Sequence, residues 1–560
     1  MTAEFQPAPA DPDQGGSPGR SFLARVQRYY PLVVRLLWGF LFVALPVTSF
    51  PYFPSGLGGR TLVRPLAVYP LLLLALLVTL PRLLRRPLPR TFLPLLAFGL
   101  AAMISSVAAL TVDLEAYRGV TLLERFARNL VTLALGSAFY VTIALLPQSW
   151  EDLRFSLRWL YAGFGLALAW GTLQIPYVVV FVQPYFDLLN GLQRFISARK
   201  LFPTRISGLT YEPKWFAEQI CFLLLPWLLS AVITRRSLFA WRYRFITVEA
   251  IMLAWAAGVL VFTFSRTGLA ILGLLIFLGY LAFRYHAASS LSGDDEQAPA
   301  STPAAAKANA SRHKAYRGLK RSIEAVLLVS VFAGAVVVVG SQNPYFSRLW
   351  RYWTDARRRN KTYLEFIAFE QRFVYWQTAF QMFADHPLIG VGLGNYAFYF
   401  DQTLPDRPWN NQVEIVRQIT PGEGRDRLIT PKNLFARLLA ETGILGTALF
   451  TSFILAVTGC LALLWLAPPA TAPPAAPANA QPAISPAPNN QPPSARQAEA
   501  RFWAIGGVLA MIVFSVVTFS FDSFALPNMW VIFGLITAAA HLPERPAQMV
   551  QVSSTGGYES

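Results

Sequence analysis

Charge is scarce in this chain. Of its 560 residues only 14% are Asp, Glu, Lys or Arg, whereas 54% are hydrophobic, and the mean hydropathy is +0.42. A set of soluble domains needs a charged surface that this composition does not supply. Cysteine is scarcer still. Cys221 and Cys460 are the two, both inside apolar blocks, which leaves no disulfide framework and no thiolate metal site. The first twenty residues, MTAEFQPAPADPDQGGSPGR, lack the apolar core of a cleavable signal peptide. Strict apolar–polar alternation is missing as well, so the Leu-, Val-, Phe- and Ala-rich runs are helices rather than the strands of a barrel.

What remains is a membrane protein. A helix needs roughly 20 apolar residues to cross a bilayer core, and only helices and closed barrels satisfy every backbone polar group in lipid. Such runs lie near 33–49, 64–80, 91–111, 129–147, 157–182, 213–233, 245–263, 267–285, 321–340, 433–466, 501–520 and 526–541. The expected fold is all-α: a polytopic bundle of about 12 transmembrane helices with a large, partly helical external loop.

The net charge of +18 invites a nucleic-acid partner, but its distribution excludes one. The basic residues sit in short loops between apolar blocks: Arg82, Arg85, Arg86 and Arg90; Arg154; Arg235, Arg236, Arg242 and Arg244; Arg312, Lys314, Arg317, Lys320 and Arg321. That is the positive-inside bias. With both termini inside, it holds at nearly every short loop, which points to a multi-pass protein of the cytoplasmic (inner) membrane whose polar chemistry faces the periplasm or exterior. The division follows: a disordered cytoplasmic tail, 1–30; spans one to eight, 31–285; a linker, 286–320; span nine, 321–340; an external loop, 341–430; span ten, 431–467; a second linker, 468–500; spans eleven and twelve, 501–541; and a cytoplasmic tail, 542–560. Both linkers are rich in Ala, Pro, Ser, Asn and Gln and bury too little apolar surface to order.

The external loop is different. Its eleven basic and nine acidic residues nearly balance, and it is rich in Trp, Tyr and Phe. Phe369, Phe373, Trp376, Phe380 and Phe383 step at helical spacing and make one apolar stripe. The helix should lie on the spanning bundle or at the lipid surface.

Four polar groups, distant in sequence, collect on the outer face. Arg205 to Glu212-Pro213 opens a span, with proline at a favourable first helical position; Arg205 suits either an interfacial arginine touching headgroups or an anion site. Ser265-Arg266 stands between two apolar blocks with almost no loop, where an arginine needs a partner. Arg372 begins a stretch ending in Asp385-His386-Pro387 and the glycines Gly390, Gly392 and Gly394. With no strand before it and no lysine after it, this is a tight turn rather than a nucleotide loop. His386 before proline suits capping or packing better than base chemistry. Finally Lys432 precedes Asn433, Arg437 and Glu441, which recur every four residues and share a helical face; an internal polar tie explains them as well as a functional role does.

These groups together resemble the O-antigen ligase and polymerase superfamily over roughly residues 200–450. The strongest match is RFVYWQTAFQMFADHPLIGVGLGNY, Arg372 to Tyr396, preceded by the Ser-Arg motif and followed by Asn433 and an E-x-G-x-x-G pattern. The resemblance implies a metal-independent, inverting glycosyl transfer without a cofactor, from a polyprenyl-pyrophosphate-linked glycan to a hydroxyl of a glycan or lipid acceptor. Arg205 and Arg266, with Arg372, would hold the pyrophosphate, and Ser265, Asn433, Arg437 and Glu441 would support the site. Guanidinium groups present paired donors to phosphate oxygens and stabilise a departing anion. No Asp-x-Asp pair lies on that face, so no metal ion is expected. One departure stands out. Where relatives commonly carry the proposed base, a histidine, this chain has Lys432, and an ammonium is a poor base at neutral pH. Lys432 and Glu212 are the two candidates for that role. A transporter or flippase of lipid-linked saccharides is the alternative, but such proteins carry ionisable groups near the bilayer midplane, whereas here they gather at one mouth.

Overall fold

The computed structural model describes residues 18–54, 63–85, 88–244, 246–291, 323–324, 326–355, 362–405, 413–420, 428–466 and 493–542. Most of the two linkers and of the terminal tails expected from the sequence lie outside the described residues, as do Arg357, Arg358, Arg359, Lys361, Arg407, Arg425 and Arg427 of the external loop. The fold is the expected all-α membrane bundle. Among the described residues seven helices are long and apolar enough to cross a bilayer and five shorter apolar helices accompany them, making the twelve that the apolar runs suggested.

In chain order the elements are α1 (Pro18–Val43), α2 (Val68–Leu83), α3 (Phe92–Ala109), α4 (Leu122–Leu145), α5 (Trp150–Val179), α6 (Gln183–Gln193) and α7 (Pro213–Thr234). A two-residue hairpin, β1 (Arg242–Tyr243) with β2 (Ile246–Thr247), precedes α8 (Val248–Phe262). Then come α9 (Arg266–Leu291), α10 (Val326–Ser341), and the loop helices α11 (Arg348–Arg351), α12 (Tyr363–Phe366), α13 (Gln371–Asp385), α14 (Tyr396–Tyr399) and α15 (Val413–Ile419). The chain closes with α16 (Leu434–Leu466), α17 (Pro493–Val517) and α18 (Asn528–His541).

Small residues let these helices approach closely, as lipid-embedded packing requires. Gly136 of α4 lies under the Trp530 indole of α18, and Gly506 of α17 under Trp227 of α7. Both indoles are fully buried. Alternation of the helices sorts the connections to two ends. At one end arginines act as ties: Arg82 donates to the carbonyls of Leu145 and Leu146, and Arg154 and Arg236 both pair with the buried Glu499. At the other end the connections stitch to one another, as Ala198 N donates to Ser49 O at 2.8 Å and Leu434 N to Thr518 O at 2.9 Å.

The long connection between α10 and α16 is bolted to this second end. α16 has 33 residues, about 50 Å of helix, more than a bilayer core needs. It breaks at Gly443, whose φ of 60° and ψ of −165° belong to a region that only glycine enters readily. The segment after α13 fills the break. Val391 N and Gly392 N donate to the carbonyls of Ala440 and Glu441 at 2.9 Å, and Ile444 N donates to Pro387 O at 2.8 Å. A side chain on Gly390 would strike the backbone at Glu441, and one on Gly443 would strike the Leu388 carbonyl. The glycine stretch is therefore not merely a tight turn after α13; it is a backbone insert that completes a spanning helix.

The stripe on α13 also differs from one of its two expected placements. Val374, Tyr375, Thr378, Ala379 and Met382 face the protein, while Phe373 and Phe380 are exposed. The aromatic stripe is thus split: Phe373 and Phe380 point away from the protein, while Trp376 packs against the buried cluster beneath α13. Replacing Gly443 by Ala is expected to cost about 1–3 kcal/mol in detergent unfolding and to speed hydrogen exchange at the Val391 and Gly392 amides; unchanged exchange at both would show that the insert does not depend on the break.

Candidate functional site

The site begins with two short turns. Between α8 and α9, Phe264 takes a left-handed φ of 46°, and Ser265 Oγ accepts from Gly268 N at 3.3 Å. That cap makes Arg266 the first residue of α9 and projects it from the mouth. Ser207 N and Gly208 N donate to Gln174 Oε1 at 2.9 and 3.2 Å, and Ile206 N donates to Phe262 O, so the Arg205 turn is fixed beside the first. The turn after α10 supplies Tyr345. Asn343 donates to Thr204 O at 2.6 Å and accepts from Tyr345 N at 3.0 Å, which pins that turn to the other two.

These constraints bring the guanidinium groups of Arg205 and Arg266 to one ring. Their carbons lie 4.0 and 5.7 Å from the Tyr345 centroid. Stacking uses the flat face of a guanidinium and leaves its edge donors for an acceptor in the plane. Arg266 Nη1 donates to Ile367 O at 3.1 Å, while its buried Nε has no hydrogen-bond partner. Burial pulls Arg205 below the usual arginine range, and Tyr345 and Glu212 offset part of that. Two cations at one aromatic ring repel; an anion between them relieves both.

A second group surrounds the start of α16. Lys432, with φ of 55°, donates its backbone N to Asp522 Oδ2 at 2.8 Å, pairs its ammonium with the Glu414 carboxylate, and lies 4.7 Å from the Tyr375 centroid. Gln371 Nε2 and the Tyr375 hydroxyl also donate to Glu414, at 2.5 and 3.2 Å. Burial pushes Glu414 up, but the Lys432 ammonium, the Tyr375 hydroxyl and the Arg372 charge outweigh it and hold the carboxyl below its usual range. The Tyr375 hydroxyl is pushed far up by burial and by the same carboxylate.

Arg372 acts electrostatically on Glu414, Tyr375 and the buried Glu218, and its buried Nη1 has no hydrogen-bond partner. Glu218 is 3.4 Å from Lys214 and accepts from Ser520 Oγ at 3.2 Å. Asn433 Oδ1 caps α16 by accepting from Phe435 N and Ala436 N at 3.0 and 3.1 Å. Arg437 pairs with Glu441 at 2.8 Å and donates to Asp522 O at 2.5 Å.

Of the residues singled out in the sequence, Arg205 and Arg266 share a ring. Arg372 and Lys432 share Glu414. Asn433, Arg437 and Glu441 form a cap and an ion pair on one face, and Ser265 caps α9. Glu212 is paired with Arg199 at 2.9 Å. Four participants were not foreseen: Tyr345, Glu414, Glu218 and Asp522. Glu218 carried a signal, since an acid inside an apolar run marks a site by default. The other three are brought in by contacts across long stretches of chain.

Fold and site together define an integral membrane protein with a cationic, aromatic-walled mouth at one end of its bundle. Residues 251–451, less than half of the chain, match the family model described as O-antigen ligase, which supports the resemblance to that superfamily over this stretch. The match runs from α8 into α16 and includes Arg266, Arg372, Lys432 and Glu441; Arg205, Glu212 and Asp522 lie outside it and join through the fold. No curated protein matches the chain.

The Glu414–Lys432 pair makes its stability pH-dependent in one direction. A depressed carboxyl contributes above its unfolded value and loses that contribution as pH falls through the folded one. The Lys432→Met variant should therefore unfold below the native chain at neutral pH, with the gap narrowing as pH drops through about 4. A gap independent of pH over that range would remove the pair as its source.

Proposed function

We propose that the protein is a glycosyltransferase of the ligase or polymerase type. It moves a glycan from a polyprenyl-pyrophosphate carrier to a hydroxyl of a glycan or lipid acceptor, at the outer face of the cytoplasmic membrane. The observation that carries this reading is the meeting of Arg205 and Arg266 at Tyr345, with a buried Arg266 donor left without a partner. The arginine-rich short loops at the opposite end support an orientation with that end, and both termini, in the cytoplasm.

The acceptor oxygen attacks the anomeric carbon from the face opposite the diphosphate, the carbon–oxygen bond to the carrier breaks, and configuration inverts. Negative charge grows on the departing diphosphate. Fixed guanidinium donors at a partly dry mouth stabilise that charge more in the transition state than in the ground state, without a metal ion. Arg372 adds to the same field. The proton leaving the acceptor hydroxyl goes to Glu212 or Lys432, and each is engaged: Glu212 with Arg199, Lys432 with Glu414.

Arg205→Ala and Arg266→Ala should each lower transfer by about a hundredfold or more, measured with purified protein and a polyprenyl-linked glycan, while membrane insertion is unchanged. Full-length products from both variants at native rates would defeat the assignment. Lys432→Ala should reduce the rate and Lys432→His should keep or raise it; a dead Lys432→His beside a fully active Glu212→Gln would remove both candidates for the base.

A further inference from the structure

We infer that the wall formed by Tyr352, Trp353, Tyr363 and Phe366, with the Glu365 carboxylate, seats the first sugar of the carrier-linked glycan. This rests on the reading that Arg205 and Arg266 hold the diphosphate.

The wall adjoins that pair directly. Ile367, one residue beyond α12, accepts from Arg266 through its carbonyl at 3.1 Å. Arg348 stacks 5.6 Å from the Phe366 centroid and lies near enough to Arg266 for their charges to interact. The first sugar is joined to the diphosphate through a single oxygen, so its ring must lie against whatever surface borders the phosphate site.

The surface suits a sugar in two ways. Trp353 is 59% exposed, yet its ring is held, 5.7 Å from Tyr352 at 88° and 5.0 Å from Tyr363 at 36°. Tyr352 is in turn edge-on to Phe366 at 5.5 Å. A fixed, uncovered aromatic face is electron-rich and takes the C–H face of a pyranose ring. The second feature is polar. α12 starts with Thr362 Oγ1 accepting from Glu365 N at 3.2 Å, and Glu365 Oε1 is buried with no hydrogen-bond partner. A buried acceptor without a donor is costly, and sugar hydroxyls are donors. A prenyl chain would leave that oxygen unsatisfied, and an anionic headgroup would be repelled by it.

The test is equilibrium binding to the full-length protein in nanodiscs of neutral lipid, with two probes: undecaprenyl pyrophosphate alone, and the same carrier bearing an oligosaccharide. Trp353→Ala and Glu365→Gln should each weaken the glycan-bearing probe by about tenfold, the loss of one stacked face or one charged acceptor, and leave the bare carrier unchanged. Trp353→Phe, which keeps a ring, should recover most of the loss and guards against misfolding of the alanine variant. If both probes weaken equally, or neither does, Trp353 is an interfacial aromatic and the inference is overturned. If the native protein binds neither probe, or Arg266→Ala leaves the bare carrier bound as before, the diphosphate reading itself falls.

Discussion

The end of the bundle that carries the site depends on four backbone hydrogen bonds across the break in α16. A spanning helix interrupted in an apolar environment must satisfy its freed amides and carbonyls with protein. Here the segment 387–392 does so by pairing with Ala440, Glu441, Ile444 and Leu445. Those bonds hold the long connection between α10 and α16 in place: α13 is drawn down onto α16, and Tyr375 and Gln371 are set beside Lys432 through Glu414. The same break frees the first turns of α16 from the spanning direction, so Arg437 and Glu441 can face Asp522 rather than lipid. Ser105 reinforces the joint, its hydroxyl reaching the carbonyls of Ile389 and Glu441 at 2.5 and 2.9 Å.

How much of this was legible follows from which forces leave a mark on sequence. Crossing a bilayer demands a run of apolar residues, so the spans were readable, although some helices begin seven residues earlier, as Leu122–Leu145 does against 129–147 and Trp150–Val179 against 157–182. The Ser-Arg turn was readable because an arginine between two apolar blocks has few structural reasons to exist. The orientation of α13 was not. Periodicity identifies an apolar face, but lipid and protein cover such a face equally well, and the stripe split: Phe373 and Phe380 turned away from the protein while Tyr375 and Thr378 went in. The glycine stretch looked like a turn because a turn and a helix-completing insert ask for the same left-handed residues. Glu414 and Asp522 gave no sign at all, since each owes its place to a partner distant in the chain.

Charge compensation separates the two halves of the mouth. Around α16 most cations are answered: Lys432 by Glu414, Arg437 by Glu441, Lys214 by Glu218, and Arg199 by Glu212 near the other half; Arg372, whose buried Nη1 has no hydrogen-bond partner, is the exception. Buried or half-buried charge is normally kept only when paired in this way. Arg205 and Arg266 are the contrast. Both are substantially withdrawn from water, and among the described residues neither has a carboxylate within ion-pair distance; what they share is a neutral phenol ring.

That imbalance has a physical direction. Burying two guanidinium groups against one ring without an anion is unfavourable by desolvation and by mutual repulsion, and Arg348 adds to the repulsion. The fold nonetheless enforces it through Gln174, Asn343 and the Ser265 cap, none of which depends on the arginines themselves. A site held together by other contacts, with its cations left uncompensated, is preorganised for an anion that arrives from outside. Under the proposed function, a diphosphate carried in the adjoining leaflet would satisfy both arginines at once, and its charge would rise as the bond to the sugar breaks. On that proposal the arginines would gain most at the moment of transfer, which is the property a leaving-group site requires and a simple headgroup contact does not.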